Sequence, residues 1–452
     1  NILSKGDVPF INALEFSLKN RNLELVLTGW NGVPNDWGLS PQYFKLPSDI
    51  HSFKQIYDPT FIYHEFKEYG LSVDWLLERF TWWFPESRNQ SQRNNRLAFL
   101  HYHLHHYLEL LKQYSPSLLM IWNGNDPRHC ILKALGETHD IGMVFMERGP
   151  IPSVLFYDVQ GVLSHSTIAS LPISKLKNAD YNPKFLKQYE KWYSNSSETL
   201  WEQPKLDNLC LRERFEINPR QKITLFIGQV DNDIQTKLFS PYFSTNVDAF
   251  EWFMENARDN NHFVIGKHHP KSTLPVHIYQ SKLKDYDNVV WTDEIALDDF
   301  LPQIDNVVAV NSSVIFDALF YKKPVLTLGK TMLDGKGILF ECNPEDFKNV
   351  LQAFYNSEGF ATKLKNFNTL LGYMFTNNFL FTKDFAYAEK YAKFLDSIKK
   401  DMAISVKPES SKNIIKDYEY SARKKGQKLT LLEKGKRKVK LVVNKLVKIV
   451  KL

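Results

Sequence analysis

Cysteine is scarce in this chain. Cys130, Cys210 and Cys342 are the only three among 452 residues. They show no metal-ligand spacing and make no disulfide framework, which fits a reducing compartment. Long apolar runs are missing as well. No stretch reaches the ~18 uninterrupted apolar residues of a spanning helix, and the opening NILSKGDVPF lacks a secretory apolar core. The expectation is a cytoplasmic protein without a membrane-spanning segment. A basic body is also missing, despite a net charge of +6. Residues 423–452 carry 12 Lys and Arg against Glu433 alone, a local +11, which leaves −5 for everything before them. A nucleic-acid-binding reading of the whole molecule is therefore weak.

What is present suffices for two cores and an appendage: 43% hydrophobic and 14% aromatic residues. Residues 222–330 organise the rest. KITLFIGQ is an apolar run that stops at Gln229 and is followed by Asp231, Asn232 and Asp233. HFVIGKHHP ends in Lys267, His268, His269 and Pro270. NVVAVNSSVIFDALFYKKPVLTLG runs a strand into Asn311, Ser312 and Ser313, then a helix carrying Asp317, then another strand. Continuous apolar strands alternating with helices predict a parallel sheet covered on both faces. Ligands of such sheets lie beyond the carboxyl ends of the strands. The three polar clusters should therefore meet in one crevice.

A second series lies upstream. SLLMIWNGND ends in Trp122, Asn123, Gly124 and Asp126. IGMVFMERG ends in Glu147 and Arg148, and SVLFYDVQGV carries Asp158. The fold class expected is α/β, with two Rossmann-like lobes facing each other across a cleft in the manner of the glycosyltransferase-B architecture. The lobes are expected at 1–205 and 206–400, with helices from 343 onward closing the second. Residues 401–452 are read as a linker and a basic amphipathic helix that lies on an anionic membrane surface. The His-rich stretch HYHLHHYLELL is read as a helix whose histidines flank a packed aromatic face. His101 and His105 stand at i, i+4, but no acidic residue completes a metalloprotease-like pattern. No metal and no cofactor are expected.

At the crevice, Lys267, His268 and His269 offer cationic and hydrogen-bonding groups to a phosphate. Asn311, Ser312 and Ser313 precede a helix start, where anions are favoured. Asp317 is placed to accept from a ribose. The acidic loop admits two chemistries: Asp231-x-Asp233 as a metal-binding pair, or a carboxylate acting at an anomeric centre.

GQVDND, KHHP and NSSVIFDAL with KKPV behind it, together with WNG, ERG and DVQG, resemble the retaining β-Kdo glycosyltransferases, WbbB type (glycosyltransferase family 99), related to KpsC-like capsule enzymes. The likeness covers about residues 115–335. It implies a CMP-β-Kdo donor held by Gln229, Lys267, His268, His269, Pro270, Asn311, Ser312, Ser313 and Asp317, with Trp122, Asn123 and Arg148 lining the other side. It implies double displacement, an acceptor hydroxyl placed near Glu147 and Asp158, and capping of an O-antigen polysaccharide at the inner face of the bacterial inner membrane. That family's nucleophilic aspartate falls at position 232, where this chain has Asn. Two explanations compete: an Asp→Asn substitution made to trap a complex, which is favoured, or a natural variant using Asp231 or Asp233. Three rivals remain. A CDP-glycerol glycerophosphotransferase shares the His-Pro loop and the S-S-x-x-x-D helix. An inverting CMP-sialic acid transferase would form no covalent adduct. A glycan-binding membrane scaffold would turn over no donor.

Overall fold

The computed structural model describes residues 7–29, 34–46, 59–83, 90–151, 154–177, 185, 209–231, 233–257, 261–272, 274–284 and 286–401. Position 232 and the basic tail, two elements of the expectation above, lie outside the described residues. The fold is α/β, built on two main sheets.

The larger sheet comes from the run that the sequence singled out. Its strands are β6 (Lys222–Ile227), β7 (His262–Lys267), β8 (Val289–Thr292), β9 (Asn306–Ala309), β10 (Val325–Thr327) and β11 (Phe340–Glu341). They lie in the order β11-β10-β9-β6-β7-β8, and every neighbouring pair is parallel. Residues 262–267 and 306–309 are buried throughout, as expected of strands covered on both faces. One face packs Phe226, Phe250, Phe253 and Trp291. Trp291 stacks on Tyr279 with ring centroids 3.9 Å apart. This packing also explains Gly266: a Cβ there would lie 1.9 Å from the Trp291 ring. Only glycine lets the indole close over the strand.

The smaller sheet holds β3 (Leu118–Trp122), β4 (Gly142–Arg148), β5 (Val154–Asp158) and β12 (Phe379–Phe381), in the order β12-β5-β4-β3. Only β3 and β4 are parallel. β5 runs against both β4 and β12. The connection 149–153 is too short for a crossover, which needs a dozen residues or more, and so it folds β5 back as a hairpin. A third, two-stranded parallel sheet joins β1 (Val26–Gly29) to β2 (Gln42–Lys45).

The longer helices of the first half are α1 (Val8–Lys19), α2 (Pro59–Glu68), α3 (Val73–Trp83), α4 (Gln90–Tyr114) and α5 (Pro127–Thr138). Helices α2 to α5 share one apolar core that includes Phe66, Leu76, Leu100, Leu104 and Ile131. In the second half the longer helices are α6 (Ile234–Phe239), α7 (Asn246–Asn256), α8 (Val314–Phe320), α9 (Phe347–Tyr355), α10 (Phe360–Asn377) and α11 (Ala386–Asp401).

The chain leaves the larger sheet's lobe before residue 400. β12 completes the edge of the smaller sheet, and α11 packs on α1 through Leu14, Leu18, Tyr391 and Leu395. Arg21 and Glu389 pair across this contact, 2.5 Å apart. The chain thus returns to the first lobe after α10. No described helix is long and apolar enough to cross a membrane.

Candidate active site

The register of the larger sheet aligns three strand ends. Ile227 pairs with Lys267 on one side and with Ala309 on the other. The described residues that follow, 228–231, 268–272 and 310–313, therefore leave one edge side by side, strands being about 4.8 Å apart. From β6 the chain first builds outward through β7 and β8, then returns to place β9 on the opposite side. The strand order reverses between β6 and β9, where open α/β sheets bind ligands.

Gln229 and Asn311 meet at that reversal. Gln229 Nε2 donates to Asn311 Oδ1 (3.0 Å), the Asn311 backbone N donates to Gln229 Oε1 (2.9 Å), and Asn311 Nδ2 donates to the Gln235 carbonyl (3.0 Å). Both side chains are buried. Their polar atoms are committed to one another, so they fix the two loops rather than offer groups to a ligand. Gly228 donates its N–H to the Lys267 carbonyl at 2.8 Å, and a Cβ on it would come within 2.5 Å of that same oxygen. The acidic loop and the His-Pro loop thus touch backbone to backbone.

The basic cluster divides by environment. Lys267 is buried, and no hydrogen bond from its ammonium is present among the described residues. Burial pulls its pKa down to about 8, against a partial opposing pull from Asp293. Its near neighbour His268 departs from the phosphate-binding expectation. Its Nδ1 accepts from Trp291 Nε1 at 3.1 Å, its ring also bonds the Leu274 backbone, and it packs edge-on against Tyr279 and Trp291. With both ring nitrogens engaged it is a wall of the crevice. His269 is half-buried, and its Nδ1 accepts from the Lys271 N–H at 3.0 Å. Burial, then the charges of Lys267 and His268, lower its pKa to about 4. At neutral pH it is an uncharged imidazole with its proton on Nε2. Pro270 is exposed and opens the turn in which Ser272 N–H reaches the His269 carbonyl at 2.9 Å. Ser312 Oγ accepts from the Val314 N–H at 3.3 Å, Ser313 is exposed at the start of α8, and Asp317 is half-buried within α8.

The acidic loop divides too. Asp231 accepts from the Asn246 N–H at the start of α7, and burial raises its pKa. Asp233 caps α6, accepting from the Gln235 N–H at 2.8 Å. Burial raises its pKa as well.

Facing this edge is the end of the smaller sheet. β3 and β4 run parallel with Trp122 opposite Met146, which brings half-buried Trp122 and Asn123 beside Glu147 and exposed Arg148. Glu147 Oε1 accepts from the Arg148 N–H at 2.9 Å, and Asn123 also hydrogen-bonds its carboxyl. Burial, reinforced by the charge of Asp233, pushes the Glu147 pKa up to about 7. Asp233 thus acts electrostatically on Glu147 from the loop of the other sheet. Packing agrees: Ile234, Leu238 and Phe239 of α6 contact Trp82 and Leu163, and Lys336 Nζ donates to the Ala169 carbonyl at 3.0 Å.

Asp158 does not join this meeting point. Because β5 is antiparallel, Asp158 lies opposite Phe145, away from the Glu147 end. Its buried carboxylate accepts from the N–H groups of Gln160, Gly161 and Thr167, at 2.8, 3.3 and 3.0 Å, and from the Thr167 hydroxyl. It organises the 158–167 loop. A residue that the sequence reading overlooked is Asp293, which follows β8 and whose charge acts on Lys267. An acidic pair at the end of VVWT was the available signal.

Residues 167–367 match the family model described as capsule polysaccharide biosynthesis protein. That span contains the acidic, His-Pro and Ser-Ser loops. No curated protein matches the chain. Among solved structures, a Thermosulfurimonas dismutans KpsC β-Kdo 2,7 transferase is similar at 20% identity and TM-score 0.36, over 60% of this chain and 80% of its own. MnaA of S. aureus with UDP is similar at 9% identity and TM-score 0.35, over 90% and 96%. The calicheamicin glycosyltransferase CalG4 is similar at 9% identity and TM-score 0.36, over 85% and 93%.

Proposed function

We propose that this chain is a glycosyltransferase of surface-polysaccharide assembly that takes Kdo from CMP-β-Kdo with retention of configuration. One observation carries the reading: the β6, β7 and β9 loops leave a single edge at the strand-order reversal, and α6, which Asp233 caps, packs on Trp82 and Leu163 of the first lobe. The match of residues 167–367 to a capsule polysaccharide family supports the same class.

In this reading the cleft has a cationic side and a titrating side. The Lys267 ammonium, the His269 Nε2–H and the Ser313 hydroxyl receive the phosphate of the departing cytidylate. A monophosphate carries less charge than a pyrophosphate, and a preorganised cation with neutral donors stabilises it without a metal. Asp317 receives the ribose. A carboxylate at position 232 attacks the anomeric C2 as the C2–O bond to phosphate breaks, giving a glycosyl-enzyme. Glu147, with a pKa near 7, then takes the acceptor hydroxyl proton as that oxygen attacks C2 and releases the carboxylate. The Asn at 232 has no carboxylate, so the chain as it stands is deficient in the first step. The acceptor is the end of an O-polysaccharide or capsule chain, and the basic tail holds the enzyme to an anionic membrane surface.

The experiment is Asn232→Asp followed by separate incubation with CMP-Kdo, CMP-sialic acid and CDP-glycerol, read by intact mass and CMP release. The expected outcome is a protein one Kdo heavier and activity raised by roughly 10³-fold or more, a nucleophile's contribution being of that order. Unchanged turnover would remove position 232 from the mechanism. Consumption of CDP-glycerol or CMP-sialic acid alone would replace the donor.

A further inference from the structure

Helix α4 carries His101 and His105 one turn apart, which puts both imidazoles on one face. That face meets α2, and Glu65 of α2 completes a triangle. His101 Nε2 lies 2.7 Å from Glu65 Oε2, His105 Nε2 lies 2.9 Å from Glu65 Oε1, and the two Nε2 atoms lie 3.0 Å from each other. Glu65 and His101 are largely buried, with side chains 14% and 9% exposed, whereas His105 is 49% exposed.

Protons alone satisfy this triangle poorly. A carboxylate only accepts, so each Nε2 must carry a proton to hydrogen-bond Glu65. The two Nε2–H groups would then point donor against donor across 3.0 Å. Removing one proton restores the N–H···N bond but sets a bare nitrogen against a carboxylate oxygen. A cation at the centre uses a lone pair from all three groups and removes the conflict. Donor atoms bound to tetrahedral zinc at about 2.0–2.1 Å lie about 3.3 Å apart, close to the spacing here.

We propose that Glu65, His101 and His105 form a zinc site, with water completing the coordination on the exposed His105 side. None of the three belongs to either polar sheet edge, so the site is separate from the cleft chemistry. Its ligands come from two helices, and the ion clips α2 to α4. A His₂Glu set with an open fourth position also suits metal-activated water, but the two-helix geometry points to the clip.

The test uses the full-length chain, stripped with chelator, dialysed and titrated with zinc alone. The readouts are metal content by mass spectrometry and the thermal midpoint. The wild type should take up about one zinc per chain, with cobalt giving the intense visible bands of a tetrahedral site. Zinc should raise its thermal midpoint. His105→Ala, chosen because His105 is half exposed and its loss spares the fold, should lose the cobalt bands and the zinc-dependent rise. Glu65→Gln should bind zinc roughly tenfold or more weakly, as expected when a carboxylate ligand becomes a neutral amide. The proposal is overturned if the wild type takes up no zinc, or if His105→Ala takes up as much as the wild type and gains the same thermal shift.

Discussion

The two sheet edges that face each other differ in one topological respect. In the six-stranded sheet every strand is parallel, so every strand delivers its carboxyl-terminal loop to the same edge. Lys267, His269, Asp233, Ser313 and Asp293 gather there from four separate loops. In the four-stranded sheet only β3 and β4 point the same way, and among the described residues they bring Trp122, Asn123, Glu147 and Arg148 to that end. Parallel topology gathers ligand groups; mixed topology thins them. In the proposed mechanism this difference divides the work: the dense edge binds a charged donor, and the sparse edge supplies one titrating group to an acceptor.

The largest effect should come from the sparse edge, since its one carboxyl has no deputy. Glu147→Gln in the Asn232→Asp background should lower kcat about 10²–10⁴-fold, the usual contribution of a general base, with donor KM little changed. The rate of the Asn232→Asp enzyme should rise with pH through about 7 as Glu147 ionises, and that limb should vanish when Glu147→Gln is added. A loss confined to donor KM would reverse the division of labour between the edges.

Asp158 tests the same comparison by exclusion. The antiparallel β5 sets it opposite Phe145 rather than opposite Glu147, and its carboxylate accepts from at least four donors. Asp158→Asn would turn an amide N–H toward backbone N–H groups, costing about 2 kcal/mol of stability. A lower thermal midpoint with unchanged activity per folded molecule is expected. Lost activity at full stability would bring Asp158 back to the acceptor.

The contrast between the edges was only partly legible in the residues. The parallel sheet was, because KITLFI, HFVIGK and NVVA are continuous apolar runs with polar residues at one end. The hairpin at 149–153 was not recognised, although five residues cannot make a parallel crossover. Side-chain commitments were hidden for another reason: they depend on partners distant in sequence. His268 looks like a phosphate ligand until Trp291, 23 residues on, takes its Nδ1. Gln229 and Asn311 look like donor contacts until they pair across 82 residues. His101 and His105 look like a packed face until Glu65 arrives from 36 residues upstream.

The smallest of these effects concerns Lys267, and pH makes it the sharpest. Lys267→Met keeps the bulk of the side chain and removes one of the phosphate contacts proposed for the dense edge. Donor KM should rise about tenfold, near 1.4 kcal/mol for a partly desolvated ionic contact. Burial lowers the ammonium pKa to about 8, so wild-type donor affinity should fall as pH rises through 8 and approach that of the variant. Stability moves the other way. The folded state releases its proton near 8, while the unfolded lysine keeps its own until about 10.4. Between those values the unfolded state binds more protons, so wild-type stability should rise with pH, and the Met variant should lack that rise. Affinity falling while stability climbs over one pH window is the signature of a cation kept in an apolar wall for an anion to reach. If both quantities move together, the ammonium serves the fold, and the dense edge binds its donor by other means.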